Sequence, residues 1–113
     1  MTSKYGAKKT TVNGVKFDSK AEARRWVDLL LLQKSGAITE LQRQVMFVLA
    51  PPVRLRGEKR SKPELRYCAD FCYREARNYE YVVEDVKGVV TPVFRIKQHL
   101  MATVHGISVR ITK

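Results

Sequence analysis

The sequence predicts an α/β domain built on one mixed sheet, in the order helix, strand, strand, strand, helix, strand. Three observations predict it. An apolar stripe of helical period runs from Ser19 to Lys34. Three strand-like stretches joined by short polar links follow, between Ile38 and Lys87. Thr91-Pro92 then opens a second helix, after which Ile107, Val109 and Ile111 alternate as a last strand. The chain has 113 residues, enough for one small domain with one core, and shows no internal repeat.

Residues 1–16 carry Lys4, Lys8, Lys9 and Lys16 and read as a flexible basic arm ending in a turn at Asn13-Gly14. Residues 17–113 then form the folded domain. The first helix begins near Asp18 or Ser19, with Asp18 read as an N-cap, and stops at Gly36. Its apolar positions are Ala23, Trp26, Val27, Leu30 and Leu31, and Leu29 and Leu32 widen the stripe. The run of four leucines implies burial on more than one side, or a partner surface.

Val45, Phe47 and Leu49 alternate in the first strand, which Pro51-Pro52 ends. Val53–Leu55 reads as a short edge strand and Arg56–Pro63 as a basic loop or hairpin tip. From Leu65 to Tyr73, strict alternation puts Tyr67, Ala69, Phe71 and Tyr73 on one face and Arg66, Cys68, Asp70 and Cys72 on the other. Tyr81 to Lys87 is the third strand, ended by Gly88; Val82, Val83 and Val86 make it central. The second helix runs to about Val104 and ends at Gly106. Short links make the three strands an antiparallel meander. A right-handed helical crossover then sets the last strand parallel to the third.

Lysine and arginine number 22 against 11 acids, a formal net charge of +11, which favours a polyanionic partner, nucleic acid first. No apolar run approaches the roughly 18 to 20 residues that span a bilayer. The stretch after Met1 is polar and basic, unlike a secretion signal. The expected setting is a reducing cytoplasm, with no membrane partner. Cys68 and Cys72, about 13 Å apart on one strand, are too distant for a disulfide and read as core-facing thiols. His99 and His105 lack zinc spacing with them.

The chemistry concentrates in YCADFCY (Tyr67–Tyr73) and VVEDVKG (Val82–Gly88). Asp85 and Lys87 share a face, while Glu84 points the other way with Val82 and Val86 and reads as a structural acid bonded to an arginine. Asp70 and Asp85 on neighbouring strands suit a divalent metal with oxygen ligands, and a lysine beside them suits phosphate chemistry. Glu22 has two readings: Ser19-x-x-Glu22 is a capping box, yet the residue lies on the inward helix face with Trp26 and Leu29. Lys97 borders the inner face of the second helix, either near the substrate phosphate or merely snorkelling. Arg54, Arg56, Lys59, Arg60 and Lys62 form a basic loop able to grip a nucleic-acid backbone. Lys8 and Lys9 in the arm, and Arg24 and Arg25 on the helix, are further candidates.

The order of elements, with Asp70 followed by Asp85-Val86-Lys87, resembles the restriction-endonuclease-like (PD-(D/E)xK) nuclease fold. Ala69 stands where many members of that fold carry proline. The finer pattern KYGAKKT, FDSKAEARR, YCADFCY and VVEDVKG resembles a phage-encoded family of unknown function, thought to be related to Holliday-junction resolvases. The resemblance covers nearly the whole chain and makes residues 17–113 a nuclease domain. It implies a Mg²⁺-dependent DNA endonuclease, with Mn²⁺ able to substitute, acting in a bacterial host cytoplasm on branched or four-way DNA and leaving a 5′-phosphate. It makes Asp70, Asp85, Glu22 and the Val86 carbonyl the metal ligands, Lys87 the catalytic lysine, and Lys97 with Gln98 the phosphate contacts. No small-molecule cofactor is implied. Two symmetric cuts require two sites, hence a homodimer, with Leu29–Leu32 as a candidate interface. The alternatives are a weakly selective or nicking nuclease, and a catalytically inactive DNA-binding protein on the same fold.

Overall fold

The structure, a computed structural model, describes residues 10–12 and 14–113. β1 (Thr10–Val12) and β2 (Val15–Phe17) pair antiparallel as a small hairpin. This differs from the expected arm: only residues 1–9 and Asn13, including Lys8 and Lys9, lie outside the described residues. Phe17, at the end of the hairpin, is buried.

α1 (Lys20–Lys34) starts at Ser19, not Asp18: the Ser19 hydroxyl accepts a 3.1 Å bond from the Glu22 amide. β3 (Ile38–Ala50), β4 (Leu65–Glu75) and β5 (Tyr81–Val86) form the expected meander. α2 (Pro92–His105) carries Thr91 as N-cap and ends at Gly106, whose φ of 68° is the left-handed cap that glycine takes at least cost. It leads to β6 (Arg110–Thr112), parallel to β5. The main sheet therefore runs β3-β4-β5-β6, mixed, with β5 inside it. Val53–Leu55 forms no strand; a single bridge from Val53 to Lys62 closes the loop there. No helix among the described residues is long and apolar enough to cross a membrane.

Two apolar clusters hold the helices on opposite faces of the sheet. Ala23 and Leu29 of α1 pack with Phe17, Ile38, Phe71, Tyr73 and Val82, and Trp26 stacks on Phe71. Phe94 and Met101 of α2 pack with Leu49, Tyr67, Ala69, Cys72 and Val83. In the leucine run, Leu29 is fully buried while Leu31 and Leu32 are exposed. Glu84 has no exposure, and the Arg25 guanidinium takes its carboxylate through two bonds of 2.5 and 3.0 Å. Tyr73 and Thr112 donate to the same carboxylate, tying α1, β4, β5 and β6 together. Arg25 is thus spent on the fold and not on a basic surface.

Strict alternation fails inside β3 and β4. Tyr67 and Ala69 belong to the α2 cluster, but Phe71 and Tyr73 belong to the α1 cluster. In β3, Leu41 packs with the α1 cluster and Arg43 lies over the Phe17 ring, whereas Val45 and Phe47 pack with the α2 cluster. Residues two apart ordinarily share a face. Both strands therefore turn over at one rung, between the pairs Arg43–Phe71 and Val45–Ala69. Gln44 and Asp70 occupy that rung, and Gln44 makes the turn with a φ of 54°. β5 alternates normally, with Val82 and Val86 on the α1 side and Val83 on the α2 side.

Candidate active site

The rung that turns over also parts β4 from β5. Backbone pairing between them covers Phe71–Arg74 against Tyr81–Glu84 and stops there. Beyond it, side chains replace the ladder. The Asp70 amide donates to Asp85 Oδ1 at 3.2 Å, and the Val86 amide donates to Asp70 Oδ2 at 2.8 Å. Each carboxylate is thus held by the backbone of the other's strand, and the two lie side by side at the split.

Lys87, two residues after Asp85, shares its face as expected: Nζ stands 3.3 Å from Asp85 Oδ2 and 4.9 Å from the Phe94 ring centroid. A cleft of about 230 Å³ opens here, lined by Tyr67, Cys68, Asp70, Asp85, Lys87, Thr91, Val93, Phe94 and Lys97. Asp85 is buried and Asp70 half-buried. Burial, a hydrogen bond with the Asp85 carboxyl and that group's negative charge push the Asp70 carboxyl up to about 8, against the Val86 amide, which favours its ionised form.

Glu22 is buried on α1 and turned inward. Its side chain does not complete a capping box with Ser19; Oε1 accepts a 3.2 Å bond from Gln44 Nε2. Burial first, then the charges of Asp18 and Asp85, push its carboxyl upward. Glu22 feels the pair but does not join it: among the described residues, no three acidic, histidine or cysteine side chains gather closely enough to hold a metal. The expected three-acid ligand set is not assembled here. The Asp70–Asp85 pair by itself fits a hard dication that keeps most of its waters and takes one or two carboxylates, as Mg²⁺ does. Each carboxylate oxygen has a second lone pair for such a partner.

Lys97 lines the cleft, half-buried, facing the carboxylates from α2; Gln98 does not line it. Arg54, Arg56, Lys59, Arg60 and Lys62 are exposed on the β3–β4 connection, outside the cleft. Arg54 donates to the Glu58 carbonyl and Lys62 pairs with the Glu58 carboxylate. Cys68 is not a core thiol: it lines the cleft and donates to Gln44 Oε1, while Cys72 is the buried one and both are free. A larger apolar groove, lined by Ala50, Pro51, Pro52, Val53, Lys62, Pro63 and Leu65, holds one ionisable side chain and no chemistry of this kind.

Two residues that the sequence does not single out bear on the site: Tyr67, which lines the cleft, and Gln44, which bonds to the lining residue Cys68. The Tyr67 hydroxyl is buried in the cleft wall close to Asp85. Gln44 links Glu22 to Cys68. Tyr67 looked like any core aromatic on a strand, and nothing in Gln42–Val45 signals a turned-over rung.

Fold and site together define an α/β protein with a carboxylate–lysine cleft at the split of two central strands. The chain belongs to the family described as protein of unknown function (DUF1064), whose model matches residues 2–112. No curated protein and no solved structure matches it.

Proposed function

We propose that this chain is a divalent-cation-dependent DNA endonuclease on a restriction-endonuclease-like (PD-(D/E)xK) fold, selective for branched DNA. One observation carries the reading: Asp70, Asp85 and Lys87, from two adjacent strands, converge on one cleft where those strands part. Asp70 and Asp85 would hold Mg²⁺ or Mn²⁺, with the Val86 carbonyl as a further candidate. When bound, such a cation withdraws charge from a phosphodiester and lowers the pKa of nearby water.

The chain's own residues supply the rest. Lys87, steadied by Asp85 and by the face of Phe94, keeps a positive charge where negative charge builds on the phosphate in the transition state. Lys97 on the facing helix adds a second charge to orient the backbone. Gln98, Arg54, Arg56, Lys59, Arg60, Lys62, Lys8 and Lys9 would set affinity through phosphate contacts. The net charge of +11 supports a polyanionic substrate. Selectivity for four-way DNA calls for paired cuts, and hence for a homodimer.

The test is the purified protein with Mg²⁺ on linear, forked and four-way DNA of matched sequence. Preferential cutting of four-way DNA is expected. Equal cutting of all three would make it a nicking or weakly selective nuclease. Binding without cutting, in Mg²⁺ and Mn²⁺ alike, would leave an inactive DNA-binding protein.

A further inference from the structure

Among the described residues, three other than glycine have a positive φ: Glu40, Gln44 and Tyr79. A side chain pays a steric cost there, so each calls for a cause. Glu40 lies within the register shift between Thr39 and Gln42. Tyr79 closes the β4–β5 turn, where its amide donates to the Glu75 carbonyl at 2.7 Å. Gln44 has no such cause, since the pairs on either side of it are in register. Glycine or asparagine would turn the strand at lower cost. Neither could do what the glutamine side chain does.

That side chain is a brace. Its Nε2 donates to Glu22 Oε1 on α1, and its Oε1 accepts from the Cys68 thiol on the cleft wall, both at 3.2 Å. It stands across from Asp70, at the rung where the site opens. Glu22 is 5% exposed, so its carboxylate has little water to hold it.

We propose that Gln44 is a positioning residue, which fixes the buried Glu22 carboxylate at the Gln44–Asp70 rung and so strengthens the Asp70–Asp85 pair's hold on a divalent cation. This rests on reading the pair as a cation site. Glu22 then acts on the cation through its charge, without touching it. Residues in that position commonly change metal affinity about 10- to 100-fold when removed.

The test measures Mn²⁺ binding by electron paramagnetic resonance, alongside thermal unfolding. The proteins are the parent, Gln44→Gly, Gln44→Asn, Glu22→Gln and the Gln44→Gly/Glu22→Gln double variant. Gln44→Gly accepts the backbone turn and removes the brace, so it should stay folded, with a cooperative melt, yet bind Mn²⁺ about tenfold more weakly. Gln44→Asn tolerates the turn but is one methylene too short, and should also lose affinity. The double variant should bind no more weakly than Glu22→Gln alone, because Gln44 acts through Glu22. Binding within twofold of the parent by either folded Gln44 variant would overturn the inference, as would additive losses in the double variant. A parent that binds no Mn²⁺ would overturn the cation site itself, and the inference with it.

Discussion

Replacing Arg25 with methionine should cost about 3 kcal/mol of stability. Methionine keeps much of the arginine stem's packing and removes the charge. It leaves the Glu84 carboxylate fully buried with no cation against it. Breaking a buried ion pair from one side costs about 3–5 kcal/mol. Two donors survive, Tyr73 at 2.8 Å and Thr112 at 3.3 Å, which argues for the low end. Unfolding entropy near 2.1 cal/mol/K per residue gives about 0.24 kcal/mol/K for 113 residues. The melting temperature should therefore fall by about 12 °C in a calorimetric or circular-dichroism melt. The Arg25→Met/Glu84→Leu double variant should recover most of the loss, since no unpaired charge remains buried. A fall of less than about 3 °C in the single variant, or a double variant worse than the single, would refute the claim that this pair ties α1 to β5.

Three further outcomes follow from the same geometry. The Asp70 carboxyl is raised in the folded protein, so its contribution to stability is full below the unfolded value near 3.8 and is lost as pH rises toward about 8. Without metal, Asp70→Asn should therefore gain stability relative to the parent on going from pH 5 to pH 8; parallel melting curves across that range would contradict it. Binding of Mg²⁺ needs the ionised acid, so affinity measured by calorimetry should climb over the same interval, and a flat profile would count against Asp70 as a ligand. Lys87→Ala should slow DNA cleavage by at least ~100-fold while leaving the circular-dichroism spectrum intact, since it removes a charge aimed at the transition state; unchanged cleavage would remove Lys87 from the chemistry.

How far the sequence spoke depends on which physical signals are local. Ser19, Thr91-Pro92 and Gly106 mark helix ends by hydrogen bonding and φ alone, and the helices begin and end there. The sheet order follows from short links within the meander and a helical crossover to a parallel last strand. Asp85 and Lys87 share a face as their spacing requires, and Asp70 meets them through the backbone bonds at the split between β4 and β5. The β1–β2 hairpin has a local signal, since Asn13-Gly14 between Val12 and Val15 favours a two-residue hairpin loop and not merely a turn. The turned-over rung was not legible. Its two strands flip together because Gln44 adopts a conformation its residue type disfavours, and no window of sequence announces that. For the same reason the face assigned to Phe71 and Tyr73 was wrong, and the brace from Glu22 to Cys68 was invisible. An arginine partner for Glu84 was expected; that it is Arg25 depends on how α1 docks, which is a tertiary fact.

Asp85→Asn, assayed beside the parent for cleavage in Mg²⁺ and for DNA binding in Ca²⁺, tests the central claim most directly. The substitution keeps the shape of a buried side chain and removes one charge from the pair that would hold the cation. The parent should cut DNA in Mg²⁺, and the variant should cut at least ~100-fold more slowly while binding DNA as well as the parent. No cleavage by the parent on linear, forked or four-way DNA, or equal cleavage by a folded variant, would contradict the account.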